Sequence, residues 1–181
     1  MNVSTTEISG LLIFEPRVFE DERGYFFESY KKDLLRDAGL AEEFVQDNQS
    51  FSTAGVVRGL HFQREPFAQG KLVRVIQGKV LDVAVDLRKN SPTFGKHHSV
   101  VLDSIKHNMF YIPPGFAHGF ATLEDSVFSY KCTNYYNKAS ESGILWNDPD
   151  LDIEWEIEQP LVSPKDQALP SFASFVQTLN A

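Results

Sequence analysis

Cysteine is nearly missing: Cys132 is the only one in 181 residues. No intrachain disulfide framework can staple this fold, and the reducing cytosol is the default compartment. Long apolar runs are missing too. The longest near the start is Leu11 to Phe14, and the opening MNVSTTEISG has no basic segment followed by an apolar one, so neither a spanning helix nor a secretory leader is expected. Positive charge is scarce, with 17 Lys and Arg against 25 Asp and Glu, a formal charge of −8 and a pI near 5.1. That balance argues against a broad electrostatic grip on nucleic acid or an anionic membrane and leaves any anionic ligand to local cations. There is no internal repeat, charge block or linker, which predicts one domain over residues 1–181. A chain of this size buries about 70% of its unfolded surface. The expectation is a soluble cytoplasmic protein with a single core.

What is abundant is β-forming. Fifteen Phe, six Tyr and many Val residues are cut by turn signals every ten residues or so, the pattern of many short strands. Leu72 to Leu87 reads as two strands about a Gln77-Gly78 hairpin turn. In its second half Leu81, Val83, Val85 and Leu87 share one face, and Asp82, Ala84 and Asp86 the other. Further strands are predicted at Gly10 to Phe14, Tyr25 to Tyr30, Phe44 to Phe51, Val56 to Phe62, His97 to Leu102, Met109 to Ile112, Gly119 to Leu123 and Val127 to Thr133. Helical pattern is confined to Lys31 to Ala38, stopped by Gly39, and to a short tail from Ser171 to Leu179. The fold class this implies is all-β, an antiparallel double-sheet jelly roll with a few short helices, its sheets closing over a pocket.

Few residues can carry chemistry. There are five histidines, and His61 sits in VVRGLHFQ beside Arg58 and ten residues before Lys71. With an unperturbed pKa of about 6.5, an imidazole is the best proton acceptor at neutral pH. A histidine in a strand is more often a satisfied core residue. A regular strand would also point Arg58 and His61 to opposite faces, but Gly59 between them can host a bulge that turns both toward one cavity. His118 ends the P-x-G-x-x-H of YIPPGFAHGF, the spacing of the second motif of cupin barrels, yet the first-motif position reads His61-Phe62-Gln63 instead of H-x-H. Three or four converging donors are needed for zinc, iron or manganese, so no metal is expected. In VFSYKCTNYY, Tyr130, Tyr135 and Tyr136 suit sheet packing, while a neutral phenol can also deliver a proton to a carbanion or enolate. Arg23 and Glu28 in EDERGYFFESY fit a surface turn as readily as a site. Gln46 and Asn48 in QDNQS, and Lys165 and Asp166 in LVSPKD, are polar clusters of the same ambiguity. Composition and spacing stop at a β-barrel with a His/Tyr acid–base site.

Taken in order, EDERGYFFESY, QDNQSFSTAGVVRGLHFQ, KLVRVIQGKVLDVAVDLR with SPTFGK, YIPPGFAHGF, YKCTNYY, GILWNDPDLDIEW and LVSPKD closely resemble the dTDP-4-dehydrorhamnose 3,5-epimerases of the cupin superfamily. The resemblance implies a cupin barrel that inverts carbons 3 and 5 of dTDP-4-dehydro-6-deoxyglucose on the way to dTDP-rhamnose, with no metal or nucleotide cofactor. By motif position it implies His61 as base, Asp166 as its partner, Tyr130 as acid and Lys71 as the cation beside the carbon-4 carbonyl. It implies Arg58 as a diphosphate or carbonyl-side ligand, and Arg23, Glu28, Gln46, Asn48, His118, Glu141 and Lys165 as substrate contacts. Tyr136 corresponds to the platform on which thymine stacks. It further implies a homodimer whose N-terminal strand joins the partner's sheet, so that Arg23 and Glu28 can serve the neighbour's site. A sibling inverting one carbon only, a metal-dependent cupin enzyme and a non-catalytic sugar-nucleotide binder are the competing readings. Retention of His61, Lys71, Tyr130 and Asp166 together opposes the last.

Overall fold

The computed structural model describes residues 1–179, and its strands form two packed sheets. In chain order the strands of the first are β1 (Asn2–Thr5), β2 (Leu12–Glu15), β5 (Gln46–Ser52), β7 (Lys71–Gln77), β10 (Met109–Ile112) and β12 (Ser126–Cys132), arranged β1-β2-β10-β7-β12-β5. The second holds β6 (Val56–Gln63), β8 (Lys79–Asp86), β9 (His97–Asp103), β11 (Phe116–Thr122) and β13 (Glu141–Gly143), arranged β13-β6-β11-β8-β9. All these pairings are antiparallel; only β14 (Leu161–Val162) runs parallel, against β6. A separate hairpin joins β3 (Phe19–Asp21) and β4 (Gly24–Phe26), and the helices are α1 (Lys32–Asp37), α2 (Pro164–Gln167) and α3 (Phe172–Thr178). No helix of the described residues is long and apolar enough to cross a membrane.

Strand alternation decides which side chains meet. Val73 and Val75 of β7, Val80 and Ala84 of β8, Phe110 of β10, Phe120 of β11 and Phe128 of β12 bury together between the sheets. Leu81, Val83 and Val85 point the other way, where Leu151, Trp155 and Phe175 of the C-terminal segment cover the second sheet's outer face. The first sheet's outer face is closed by Leu35 of α1 against Leu72, Met109 and Tyr111. Each sheet is therefore apolar on both sides over much of its area, and in β8 even the face that carries Asp82 and Asp86 is buried along with the apolar one.

Gln77-Gly78 is not a hairpin turn. β7 pairs with β10 and β12, whereas β8 pairs with β11 and β9, so the chain turns a corner from one sheet to the other. Gly78 lies at φ +83, and a Cβ there would come within 2.2 Å of the Asp125 carbonyl oxygen. A tight turn between apolar runs looks the same locally whether the strands pair or part; partner choice is decided by the remote strands that flank each one.

The predicted strand over Tyr25 to Tyr30 ends early, because Phe27 leaves the ladder to stack on His107 at 4.6 Å and Tyr30 packs edge-on against Phe44 at 5.8 Å. The N-terminal strand implied by the resemblance is β1, which within this chain pairs with β2; β3, β13, β14 and α2 have no counterpart in the sequence reading. Each is four residues or fewer, too short for periodicity to register. α1 stops at Gly39 as expected: its N–H bonds the Arg36 carbonyl at 2.9 Å and Leu40 N–H bonds that of Leu35 at 2.9 Å, a Schellman ending. In α3 the Ser171 hydroxyl accepts from Ser174 N–H at 3.2 Å.

Candidate active site

A cavity with two lobes, of about 290 and 320 Å³, opens into the sandwich, and three side chains line both: His61, Lys71 and Tyr130. One lobe is completed by Gln46, Asn48, Phe62, Gln63, Gln69, Tyr136 and Glu141, the other by Ser50, Arg58, His118, Phe128, Lys165 and Asp166, among others.

The fold delivers His61 through an irregularity in β6. His61 stands opposite His118 and Arg58 opposite Phe120, so three steps on β6 match two on β11. That extra residue cancels the alternation that would have separated Arg58 from His61, and both reach the same lobe. Gly59 makes it feasible: φ is +132 and a Cβ would lie 2.6 Å from Gly119 Cα. Arg58 is aimed by its Nε–H, which donates to Ser52 Oγ at 2.9 Å.

Asp166 comes from α2, whose first turn is set by Pro164 and by Ser163 Oγ accepting from Asp166 N–H at 3.1 Å. Its carboxylate is buried, with Oδ1 2.7 Å from His61 Nε2 and Oδ2 accepting from Gly59 N–H at 3.3 Å. A carboxylate on Nε2 keeps the proton of a neutral ring there and leaves Nδ1 as the acceptor. The same contact stabilises the imidazolium formed when Nδ1 takes a proton.

Lys71 begins β7 opposite Cys132, and burial pushes its ammonium below the ordinary lysine value, opposed by Cys132, Asp82 and Glu141. Tyr130 lies between Asn48 and Val73 in the sheet; burial pushes its phenol up, so it is a proton donor at neutral pH. His118 is buried and its Nε2 lies 2.9 and 3.0 Å from the two Asp82 oxygens. Burial pushes it below the usual histidine value, with Asp82 pulling the other way.

The other lobe is a polar cradle with an aromatic wall. Tyr136 is 54% exposed; its N–H donates to Gln46 Oε1 at 3.0 Å and its hydroxyl to Glu141 Oε2 at 3.1 Å. Gln46 Nε2–H donates to Asn48 Oδ1 at 3.0 Å, and Lys165 Nζ to Glu141 Oε1 at 2.7 Å.

Within this chain Arg23 and Glu28 do not join the others. Arg23 pairs with Asp21 on the exposed β3–β4 hairpin, and Glu28 lies 3.3 Å from Lys31; neither lines the cavity. Sequence reasoning also passed over Asp82, Gln63 and Gln69. Asp82 had a signal, a carboxylate inside an apolar strand, which is costly to bury without a partner. Gln63 and Gln69 had none. Gln63 is buried and bonds the Phe67 and Tyr135 carbonyls and Asn137 N–H, and Gln69 bonds the Asn134 carbonyl, so both work through backbone contacts invisible in sequence. Among the described residues no three or more His, Cys, Asp and Glu side chains converge as a metal-ligand set.

A family model described as dTDP-4-dehydrorhamnose 3,5-epimerase matches residues 5–174. The dTDP-4-dehydrorhamnose 3,5-epimerase of Shigella flexneri is 56% identical over 168 residues, 92% of this chain and 93% of that protein. Among solved structures, dTDP-4-dehydrorhamnose 3,5-epimerase from Elizabethkingia anophelis superposes with a TM-score of 0.92 at 49% identity, covering 96% of this chain and 97% of that one. A dTDP-6-deoxy-D-glucose-3,5-epimerase from Legionella pneumophila, solved in complex with dTDP-4-keto-L-rhamnose, superposes with a TM-score of 0.91 at 47% identity over 94% of this chain and 92% of that one. Sequence and backbone agree over nearly the whole length: this jelly roll belongs to the dTDP-4-dehydrorhamnose 3,5-epimerase family.

Proposed function

We propose that this chain is an isomerase converting dTDP-4-dehydro-6-deoxyglucose to dTDP-4-dehydro-L-rhamnose, by removing and returning protons at carbons 3 and 5 in the dTDP-rhamnose pathway. Beyond family membership, the observation that carries this reading is the waist of the cavity, where a carboxylate-held imidazole, a partly buried ammonium and a protonated phenol meet.

The ketone at carbon 4 acidifies the hydrogens on both neighbouring carbons. His61 Nδ1 takes a proton from carbon 3 or 5, and Asp166 stabilises the resulting imidazolium. Negative charge gathers on the carbon-4 oxygen as an enolate, where the fixed charge of Lys71 lowers the barrier. Tyr130 returns a proton from the opposite face of the ring, which inverts the carbon. Arg58 and His118 hold the sugar and diphosphate side, with Lys165 at the rim; Arg suits bidentate phosphate contacts. Gln46, Asn48 and Glu141 line the nucleotide side and Tyr136 offers its ring to thymine. The chain works as a single domain in the cytoplasm and as a homodimer in which the partner's β3–β4 hairpin and the segment just after it bring Arg23 and Glu28 over this cavity. The large aromatic exposure of that hairpin, with Phe19 at 51%, Tyr25 at 60% and Phe26 at 65%, supports a covered role for it.

The deciding experiment incubates the protein with dTDP-4-dehydro-6-deoxyglucose in deuterated water. Deuterium and inversion are expected at carbons 3 and 5 by NMR; label at one carbon alone would mean a mono-epimerase, and none would end the epimerase reading.

A further inference from the structure

Asp82 has no part in the scheme above, yet it is the most deeply buried carboxylate of the site. Its residue is 0% exposed in the middle of β8, between Val100 on β9 and Phe120 on β11. Its hydrogen-bond partner is His118 Nε2, at 2.9 and 3.0 Å from its two oxygens. His118 in turn is the register partner of His61. Two imidazole–carboxylate pairs therefore stand side by side on adjacent strands, both at the cavity. Burial disfavours the charged form of His118, so its proton sits on Nε2, facing Asp82. Among the described residues Nδ1 has no hydrogen-bond partner, and no sealed side-chain nitrogen or oxygen lacks one; Nδ1 thus reaches the cavity that His118 lines.

We propose that Asp82 is a positioning residue for the epimerisation: by accepting the His118 Nε2 proton it turns the Nδ1 lone pair toward the bound sugar. The proposal rests on the epimerase reading and deepens it. Packing alone would make Asp82 a matter of stability; the hydrogen bond to His118 makes it a matter of kcat.

Two measurements test it. In the wild-type protein with 15N-labelled histidine, NMR at neutral pH is expected to show His118 as the Nε2–H tautomer; an Nδ1–H tautomer or an imidazolium overturns the proposal, and this requires no variant to fold. In Asp82→Asn, dTDP affinity is expected to stay within about twofold while kcat drops ~10-fold or more. A kcat within twofold of wild type overturns the proposal, as does a loss of dTDP affinity that matches the loss in kcat. Failure of wild-type turnover would count against the epimerase reading instead, and the tautomer measurement is independent of turnover.

Discussion

An imidazole bound to a carboxylate through Nε2 has one nitrogen left for chemistry, and it serves one face of a ring. Inversion needs a proton taken from one face and returned to the other, so a second donor must sit across the substrate, and Tyr130 lines the same waist as His61. Tyr130→Phe keeps the ring and deletes the proton. It is expected to go on exchanging substrate hydrogen with solvent through His61 while inversion falls far more, at carbon 5 above all; wild-type inversion at both carbons by NMR would make Tyr130 a packing residue. His61→Asn should lose exchange at both carbons by about 100- to 10,000-fold while still binding dTDP in calorimetry. Retained exchange would move the base elsewhere. His61 and Asp166 were legible as residue types with the right chemistry. Their 2.7 Å contact across 105 residues of chain was implied by the family resemblance and not by the residues themselves, because nothing local to LVSPKD says which strand α2 will cap.

At the scale of elements, two strand features are exposed to test. In β6 the one-residue slip beside Gly59 rests on a position where any side chain meets β11 backbone at 2.6 Å. Gly59→Ala should cost at least about 2 kcal/mol and lower kcat by moving His61 off Asp166. An unchanged melting temperature would show that β6 tolerates a Cβ. At the end of β8, Asp86 is buried. Desolvation alone would raise its pKa, but Arg88, Ser91 and Thr93 donate hydrogen bonds that bring it from 3.8 down to about 2. The folded state gains from that carboxylate above pH 4 and loses the gain as pH falls through 2, a difference of about 2 kcal/mol. Asp86→Asn should therefore be less stable than wild type near neutral pH in urea titrations, with the gap closing toward pH 2; a constant gap would mean the charge is not what Asp86 supplies. The bulge was readable from Gly59 because glycine marks the only backbone the slip can use. The corner at Gly78 was misread as a hairpin because its local chemistry suits both.

At the scale of the molecule, the cavity of one chain is lined without Arg23 or Glu28, while the hairpin bearing Arg23, with Glu28 two residues beyond it, stands exposed with three large aromatic residues. If a partner receives that hairpin, Arg23→Ala should raise KM with little change in kcat, and the protein should sediment as a dimer. A sharper test co-expresses His61→Asn chains with Arg23→Ala/Glu28→Ala chains. Mixed dimers that share sites in trans contain one site with every wild-type residue, so activity at low substrate should exceed that of either parent. Activity no better than the parents would place Arg23 and Glu28 in their own chain's site or in none.

The amino-acid sequence by itself determined the β-rich class, because period-two alternation and turn residues act over a few positions. It also determined the two main helices, through Gly39 and Ser171, and the set of groups able to move protons. Only the tertiary structure decided which strands are neighbours, that the chain turns a corner between sheets at Gly78, and that Asp82 bonds His118 instead of merely interrupting an apolar strand. Those facts depend on pairings between residues far apart in the chain, whose energies come from packing and from burying charge against a partner, and neither is encoded in any short stretch of sequence.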